Sequence, residues 1–177
     1  VTFVLQEEQL GTGHAVKCAK DFIGTDGEVM ILAGDTPLIT AETLKRLVAY
    51  HREKGNAVTA LSAMVDDPTG YGRIIRDIDG NFVKNVEHKD ANEKERESHE
   101  INSGMYLFDA EALNHALEEI TPNNAQGEYY LPDTLEIIRK KGLKVDAFAL
   151  ENPEDIMGVN DKEQLKAAEE VIKRRLQ

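Results

Sequence analysis

The sequence is poor in several features that would define a simple class of protein. Cys18 is its only cysteine, which excludes an internal disulfide framework and indicates a reducing compartment. Basic residues are few, with 21 Lys and Arg against 33 Asp and Glu, and the net charge of −12 argues against nucleic acid or an anionic membrane as the main partner. There is neither an apolar run long enough to span a bilayer nor a signal-peptide pattern.

The composition is that of a globular protein. Hydrophobic residues make up 41% of the 177 residues, which argues against intrinsic disorder for most of the chain and allows a sizeable core. The acidity does not exclude a phosphorylated small molecule, provided that a metal ion or a local group of cations supplies positive charge.

Helices and strands alternate along the chain, with one hairpin inserted at Asp79-Gly80-Asn81. This alternation predicts an α/β domain with a mixed sheet. The predicted strands are 1–5, 28–33, 57–65, 73–76, 82–86, 105–108 and 143–150, and the predicted helices are 14–22, 40–54, 110–120, 131–141 and 161–176. Because the chain opens inside a strand-like run without an initiator Met, we expect a fragment of a longer protein.

Asp35 is the most informative single residue. It lies just past the apolar run 28–33, after Gly34, and open α/β sheets bind their ligands at the carboxyl ends of the strands. A carboxylate at this place suits Mg²⁺, which takes one or two protein oxygens and leaves its other positions to water and phosphate. The alternative is that Asp35 only begins a turn with Pro37.

The loop from Gln6 to His14 is a second candidate site. Gly11 and Gly13 would let backbone amides approach a base or phosphate closely, and two glutamines could read a nucleobase edge. By spacing alone an ordinary loop is favoured, because neither a dinucleotide fingerprint nor a phosphate-binding loop follows.

Three other patterns have structural explanations. Asn160 or Asp161 could each cap the last helix, with Glu163 or Gln164 as the partner of a capping box, and by itself the pattern favours Asn160 as the cap. Asp77-Ile78-Asp79 resembles a metal-binding acid pair but runs into a turn. His14 and Cys18 have the spacing of half a zinc site, without a second pair.

Seven segments in series resemble the bacterial N-acetylglucosamine-1-phosphate uridyltransferases. They are 4–15, 34–39, 70–74, 86–91, 100–104, 123–131 and 158–160, which together extend over essentially the whole chain. The resemblance implies a Rossmann-like nucleotidyltransferase (pyrophosphorylase) domain over residues 1–177, with a mixed, mostly parallel sheet that is incomplete at its N-terminal part. The Gly-rich loop with its Arg and Lys, the first strands and the acetyltransferase β-helix domain of the family would lie outside this chain.

The family's site residues carry over to matching positions. Gln6, Gln9, Gly11 and Thr12 would hold uridine. Asp35, with a catalytic role, and Asn160 would bind Mg²⁺, which would leave Asp161 to cap the helix. Gly72, Glu87 and Asn102 would bind N-acetylglucosamine, with Tyr129 close to the acetamido pocket.

The reaction implied is a cytoplasmic one. UTP and N-acetylglucosamine 1-phosphate would give UDP-N-acetylglucosamine, a cell-wall precursor, and pyrophosphate; the resemblance implies a homotrimer only for a full-length protein. Two alternatives remain: a related nucleotidyltransferase with another sugar or base, and a non-catalytic fragment that binds sugar nucleotides.

Overall fold

The computed structural model describes every residue from Val1 to Gln177, with helices on both faces of a six-stranded sheet. The strands are β1 (Glu28–Ile31), β2 (Val58–Met64), β3 (Arg73–Arg76), β4 (Phe82–Val86), β5 (Glu100–Asp109) and β6 (Val145–Leu150). The helices are α1 (Thr12–Cys18), α2 (Lys20–Ile23), α3 (Ala41–Lys54), α4 (Glu93–Arg96), α5 (Ala110–Glu119), α6 (Asp133–Lys140) and α7 (Lys162–Arg175), and Pro153–Ile156 is a short 3-10 helix.

The long strand β5 is the centre of the sheet. One of its edges pairs with β2, which is followed outward by β6. The other edge is shared, because β1 pairs with the C-terminal half of β5 and β3 meets its N-terminal half at Ile101, with β4 beyond β3. Strand β5 therefore brings β1 and the β3–β4 hairpin next to each other along one edge.

The sheet is mixed, as expected, but the expectation of mostly parallel pairing is wrong for these strands. Only β2 and β6 are parallel neighbours, and the other pairings are antiparallel. The reason is that β5 runs against the strands on both of its edges, although β1, β2, β3 and β6 all run in one direction.

Alternating side chains of the central strands fill a core on each face of the sheet. Tyr106 and Phe108 of β5 pack towards α5 and α6, whereas Met105 and Leu107 pack on the opposite side around Leu47 of α3. Since successive strand residues point to opposite faces, a strand covered on both sides must be apolar at both sets of positions. Because β5 is anchored in this way, the polar residues Asn102 and Ser103, which precede Met105 on the same strand, are held in a fixed position.

Local signals in the sequence set several element ends correctly. Thr40 caps α3 by accepting a hydrogen bond from the backbone N–H of Thr43 at 3.1 Å, and Gly55 ends that helix with φ +61°. Asp161 caps α7, accepting from the Gln164 N–H at 2.8 Å, so Asn160 is not the cap. The β3–β4 hairpin forms as predicted, with the Asp77 carboxylate accepting from the N–H groups of its turn.

Two predictions near the N-terminus are wrong, and a third holds only in part. Residues 1–5 form no strand, and their apolar side chains are exposed because no neighbouring strand pairs with them. The helix predicted for 14–22 is interrupted at Ala19, which separates α1 from α2. Strand β1 is only partly covered: Val29 and Ile31 pack on the core beside α5 and α6 and Met30 packs on the core beside α3, but all three side chains remain partly exposed. None of the helices has the length and apolar character needed to cross a membrane.

Candidate functional site

A cleft of about 850 Å³ lies between α1, the carboxyl end of β1 and the strands β3 to β5. One part of its wall is apolar and includes Val16, Phe22 and Val29. The other part is polar, and it contains those predicted site residues that line the cleft: Thr12, Asp35, Gly72, Glu87 and Asn102. The structure thus brings together residues that are up to 90 positions apart in the sequence.

The loop that precedes α1 is held by the side chain of Gln6. Its Nε2 donates to the carbonyl oxygen of Gly11 at 3.2 Å and lies 3.0 Å from Nδ1 of His14. The Gln6 amide nitrogen is therefore engaged within the loop, which leaves its oxygen to accept from a ligand. Gln9 is exposed.

The same loop is fastened to the segment 129–131. The N–H of Gly13 donates to Tyr129 O at 2.8 Å, and the N–H of Tyr129 donates to Leu10 O at 2.8 Å. The Thr12 hydroxyl accepts from the N–H of Leu131 at 3.0 Å, so its own hydrogen remains free to donate. We call this arrangement the loop clasp, residues 10–13 with 129–131.

Asp35 and Asn160 approach each other beside Gly158, which is buried. A Cβ atom placed on Gly158 would lie 3.4 Å from Nδ2 of Asn160 and 3.7 Å from Oδ2 of Asp35. The two segments are joined by the hydrogen bond from the Val159 N–H to Asp35 O, at 2.8 Å. The hydroxyl of Thr36 donates to Ala33 O at 2.8 Å and closes the turn that presents Asp35.

This pair fits a magnesium ion by the chemistry of its donors. It offers a carboxylate and, after a half-turn of the Asn160 amide, an amide oxygen, both on exposed side chains. The chain contains no group of three or more His, Cys, Asp and Glu side chains that could hold a metal. A metal bound here would consequently have few protein ligands, which suits Mg²⁺ better than zinc.

The opposite side of the cleft is a hydrogen-bonded cluster of polar side chains. The N–H of Asn102 donates to Gly72 O at 2.9 Å, which fixes β5 against the loop before β3. A Cβ atom on Gly72 would lie 2.7 Å from Oε1 of Glu87. Only glycine fits at position 72 while the Glu87 carboxylate keeps its place.

The ionisable groups on this side of the cleft are mainly acidic. Burial raises the pKa of Glu87, and a hydrogen bond from Asn85 opposes that rise. Burial, followed by the charges of Glu87 and Glu136, raises the pKa of Asp133 to about 6. The Tyr130 hydroxyl is buried without a hydrogen-bond partner, and burial together with Asp90 raises its pKa to about 12.

Several predicted site residues do not line the cleft. Gln6, Gln9 and Gly11 lie in the loop beside it, and Asn160 lies next to Gly158. Tyr129 does not line the cleft either: its ring packs under Nζ of Lys17, 5.1 Å from the ring centroid, while the neighbouring Tyr130 lines the cleft. Glu128 and Tyr130 line the cleft, and Tyr129 between them does not.

Sequence reasoning missed the residues that support this site. Asn85, Tyr106 and Asp133 belong to it, but each lies in a segment whose pattern indicates only a strand or a helix. Tyr130 also belongs to it, and it lies between predicted elements, next to the Tyr129 that the resemblance indicated. The paired tyrosines 129 and 130 were the one available signal. His14 and Cys18 do approach each other, with Sγ 3.9 Å from Nε2.

Asp133 gives a prediction about stability. Because its pKa is about 6 in the folded protein, against an ordinary value of 3.8, the fold loses stability as pH rises from about 4 to about 6. Asp133→Asn should therefore stabilise the protein by about 1 kcal/mol at pH 8, after allowing for solvent screening, and have little effect near pH 4. Urea unfolding at both pH values measures this; Asp79→Asn, the same change on an exposed turn, is the control. An equal effect of Asp133→Asn at pH 4 and pH 8 would contradict the argument.

The fold matches that of known solved structures. A Bacillus anthracis protein described as a glucose-1-phosphate thymidylyltransferase superposes with a TM-score of 0.72 at 21% identity, covering 96% of this chain and 64% of that one. A UDP-glucose pyrophosphorylase in complex with UDP-glucose gives 0.75 at 17% identity, covering 98% and 66%. At these identities the likeness establishes a shared fold.

The sequence comparisons establish the family. The profile of the nucleotidyl transferase family matches residues 1–158, and the chain belongs to this family. It is 57% identical over 176 residues to the bifunctional protein GlmU of Caldanaerobacter subterraneus subsp. tengcongensis, and 53% identical over 176 residues to that of Clostridioides difficile. Each match covers 99% of this chain but 38% of the relative's length.

Proposed function

We propose that the chain is part of a domain that transfers a uridylyl group from UTP to N-acetylglucosamine 1-phosphate. The products are UDP-N-acetylglucosamine and pyrophosphate, and the reaction takes place in the cytoplasm as a step towards cell-wall precursors. The observation that carries the proposal is the single cleft in which Asp35 and Thr12 share a wall with Gly72, Glu87 and Asn102. Identity of 53–57% to the bifunctional relatives supports it.

The sugar side of the cleft has the groups that recognise hydroxyls. Glu87 carries an oxygen that can accept from sugar hydroxyls, and a partly buried carboxylate discriminates strongly because a ligand without those hydroxyls leaves its charge unpaired. Asn102 is buried and fixed by four hydrogen bonds, two of which involve Tyr106 and Gly104. These residues would hold the sugar of the acceptor in the same cleft that Asp35 lines.

The nucleotide side is formed by the loop before α1. Gln6 has its oxygen available and Thr12 its hydroxyl hydrogen, and Gly11 lets the backbone approach a base closely. Gln9 completes the set expected to hold uridine. Asp35 and Asn160 would hold Mg²⁺, which when bound offsets the negative charge of the phosphates.

The chemistry requires positioning more than covalent help from the protein. An oxygen of the sugar phosphate attacks the α-phosphorus of UTP, a new P–O bond forms, and the bond to pyrophosphate breaks in line with it. The acidic chain must be assisted by positive charge. We propose that a Gly-rich loop with Arg and Lys provides it from the part of the longer protein outside residues 1–177.

A substrate panel tests this function. A full-length protein that contains the chain should release pyrophosphate fastest from UTP and N-acetylglucosamine 1-phosphate with Mg²⁺, compared with TTP or GTP and with glucose 1-phosphate. A tenfold preference for another pair would instead identify a sibling nucleotidyltransferase. Calorimetric binding of UDP-N-acetylglucosamine without any turnover would identify a non-catalytic binding protein.

The isolated chain gives a second comparison. Residues 1–177 alone should bind nucleotide weakly and turn over negligibly, and addition of the missing N-terminal piece should restore turnover. Rapid pyrophosphate release by residues 1–177 alone would overturn the assignment of essential cations to the rest of the protein.

A further inference from the structure

Asn85 lies between two residues that the proposed function assigns to sugar binding. Its Nδ2 donates to Oε1 of Glu87 at 3.0 Å, and its Oδ1 accepts from Nδ2 of Asn102 at 3.1 Å. Asn85 is partly buried on β4, opposite Ile74 of β3, and is not among the residues that line the cleft. It can therefore act on a sugar only through its neighbours.

The direction of every hydrogen bond in this chain of amides is fixed. At one end the backbone N–H of Gly104 donates to Oδ1 of Asn102 at 3.1 Å, so the amide nitrogen of Asn102 must face Asn85. That nitrogen also donates to the Tyr106 hydroxyl at 2.8 Å. Asn85 is thus left with its oxygen towards Asn102 and its nitrogen towards the carboxylate of Glu87.

We propose that Asn85 is a positioning residue that orients Glu87 and Asn102 as one unit for the sugar phosphate. This inference rests on the proposed function and deepens it, because it names the group that sets the geometry of the acceptor site. By occupying Oε1 of Glu87, Asn85 leaves the other carboxylate oxygen for sugar hydroxyls. By accepting one hydrogen from Nδ2 of Asn102, Asn85 fixes the orientation in which the Asn102 amide faces the cleft.

Asn85 also affects the charge of Glu87. Burial disfavours the carboxylate form of Glu87, and the hydrogen bond from Asn85 is the largest opposing influence on its pKa. Asp90 raises the pKa of Glu87 and Arg73 lowers it. The other ionisable groups that sense the charge of Glu87 are Tyr106 on β5, Tyr130 on the following segment and Asp133 on α6.

Two variants of the full-length protein test the proposal. Asn85→Leu removes both hydrogen bonds at similar volume, and should raise KM for N-acetylglucosamine 1-phosphate by about 10- to 100-fold while KM for UTP stays within about twofold. The acid limb of the pH profile, where kcat/KM for the sugar phosphate falls as pH is lowered, should move to higher pH. The reason is that Glu87 loses the hydrogen-bond donor that lowers its pKa. Asn85→Asp keeps the bond from Asn102 but places a second negative charge beside Glu87, so the limb should move further.

The controls separate this role from a structural one. Asn114→Leu removes an amide on α5 that bonds to Gly24 O, and it should change neither KM nor the pH profile. If Asn85 has only a structural role, its variants should lower stability and alter both KM values alike, while the acid limb of the pH profile stays in place. That result would overturn the proposal. An unchanged KM for the sugar phosphate in both Asn85 variants would also overturn it. If the parent protein uses no sugar phosphate, the proposed function itself fails; if the parent is active and only the variants disagree, the role of Asn85 fails.

Discussion

Asp35→Ala is expected to lower kcat for pyrophosphate release by about a thousandfold, because a metal ion contributes several kcal/mol of charge stabilisation in the transition state. Asp35 is an exposed carboxylate held in place by the Thr36 turn and faces Asn160 across Gly158. The concentration of Mg²⁺ needed for half-maximal activity should rise in the same variant. Steady-state assays over a Mg²⁺ titration measure both quantities in the full-length protein.

The control for Asp35→Ala is Asp79→Ala, which removes the same charge from the exposed hairpin turn between β3 and β4. It should leave kcat and the Mg²⁺ requirement unchanged. A near-normal rate for Asp35→Ala with an unaltered Mg²⁺ requirement would remove Asp35 from the metal site and return it to the simpler role of beginning a turn.

Gly11→Ala is expected to have the second largest effect. Gly11 has φ +107°, and a Cβ atom there would lie 2.7 Å from the carbonyl oxygen of Tyr129 and 3.0 Å from its nitrogen. Both obstacles are backbone atoms of the loop clasp, so they cannot move aside cheaply. The free energy of unfolding should fall by about 3 kcal/mol or more, and KM for UTP should rise as the loop is displaced.

Gly27→Ala is the matched control for Gly11→Ala. Gly27 also has a positive φ, +83°, but no atom lies within 4 Å of the place that a Cβ atom would take. It should cost only the conformational penalty of about 1–2 kcal/mol and leave KM for UTP unchanged. Urea unfolding and UTP kinetics on both variants make the comparison; equal effects would show that the contact with Tyr129 is unimportant.

Local sequence patterns predicted the elements of the fold well where the determinants are themselves local. Thr40 and Gly55 bound α3, and Asp79-Gly80-Asn81 makes the β3–β4 turn, because a cap or turn depends on a few neighbouring residues. The pairing within the sheet was harder to predict from the sequence. The strands that pair with the two edges of β5 come from distant parts of the sequence, and no pattern within a single strand specifies its partner.

The candidate site shows the same division. Asp35 could be proposed from its place after an apolar strand, and the resemblance indicated Gly72, Glu87 and Asn102. The choice between Tyr129 and Tyr130 depends on how the segment is anchored to Gly13 and Leu10, which are more than 110 residues away. The role of Asn85 depends on hydrogen-bond directions that become visible only when β4 and β5 are placed together.

The loop clasp has a consequence for how the two substrates affect each other. It ties the loop before α1, expected to hold uridine, to the segment that carries Tyr130 and leads into Asp133 beside Glu87. A ligand that restrains one segment therefore restrains the other, and part of the entropy lost on ordering is shared between them. Thermodynamic linkage requires such an effect to be mutual, so nucleotide and sugar phosphate would each strengthen the binding of the other by the same factor.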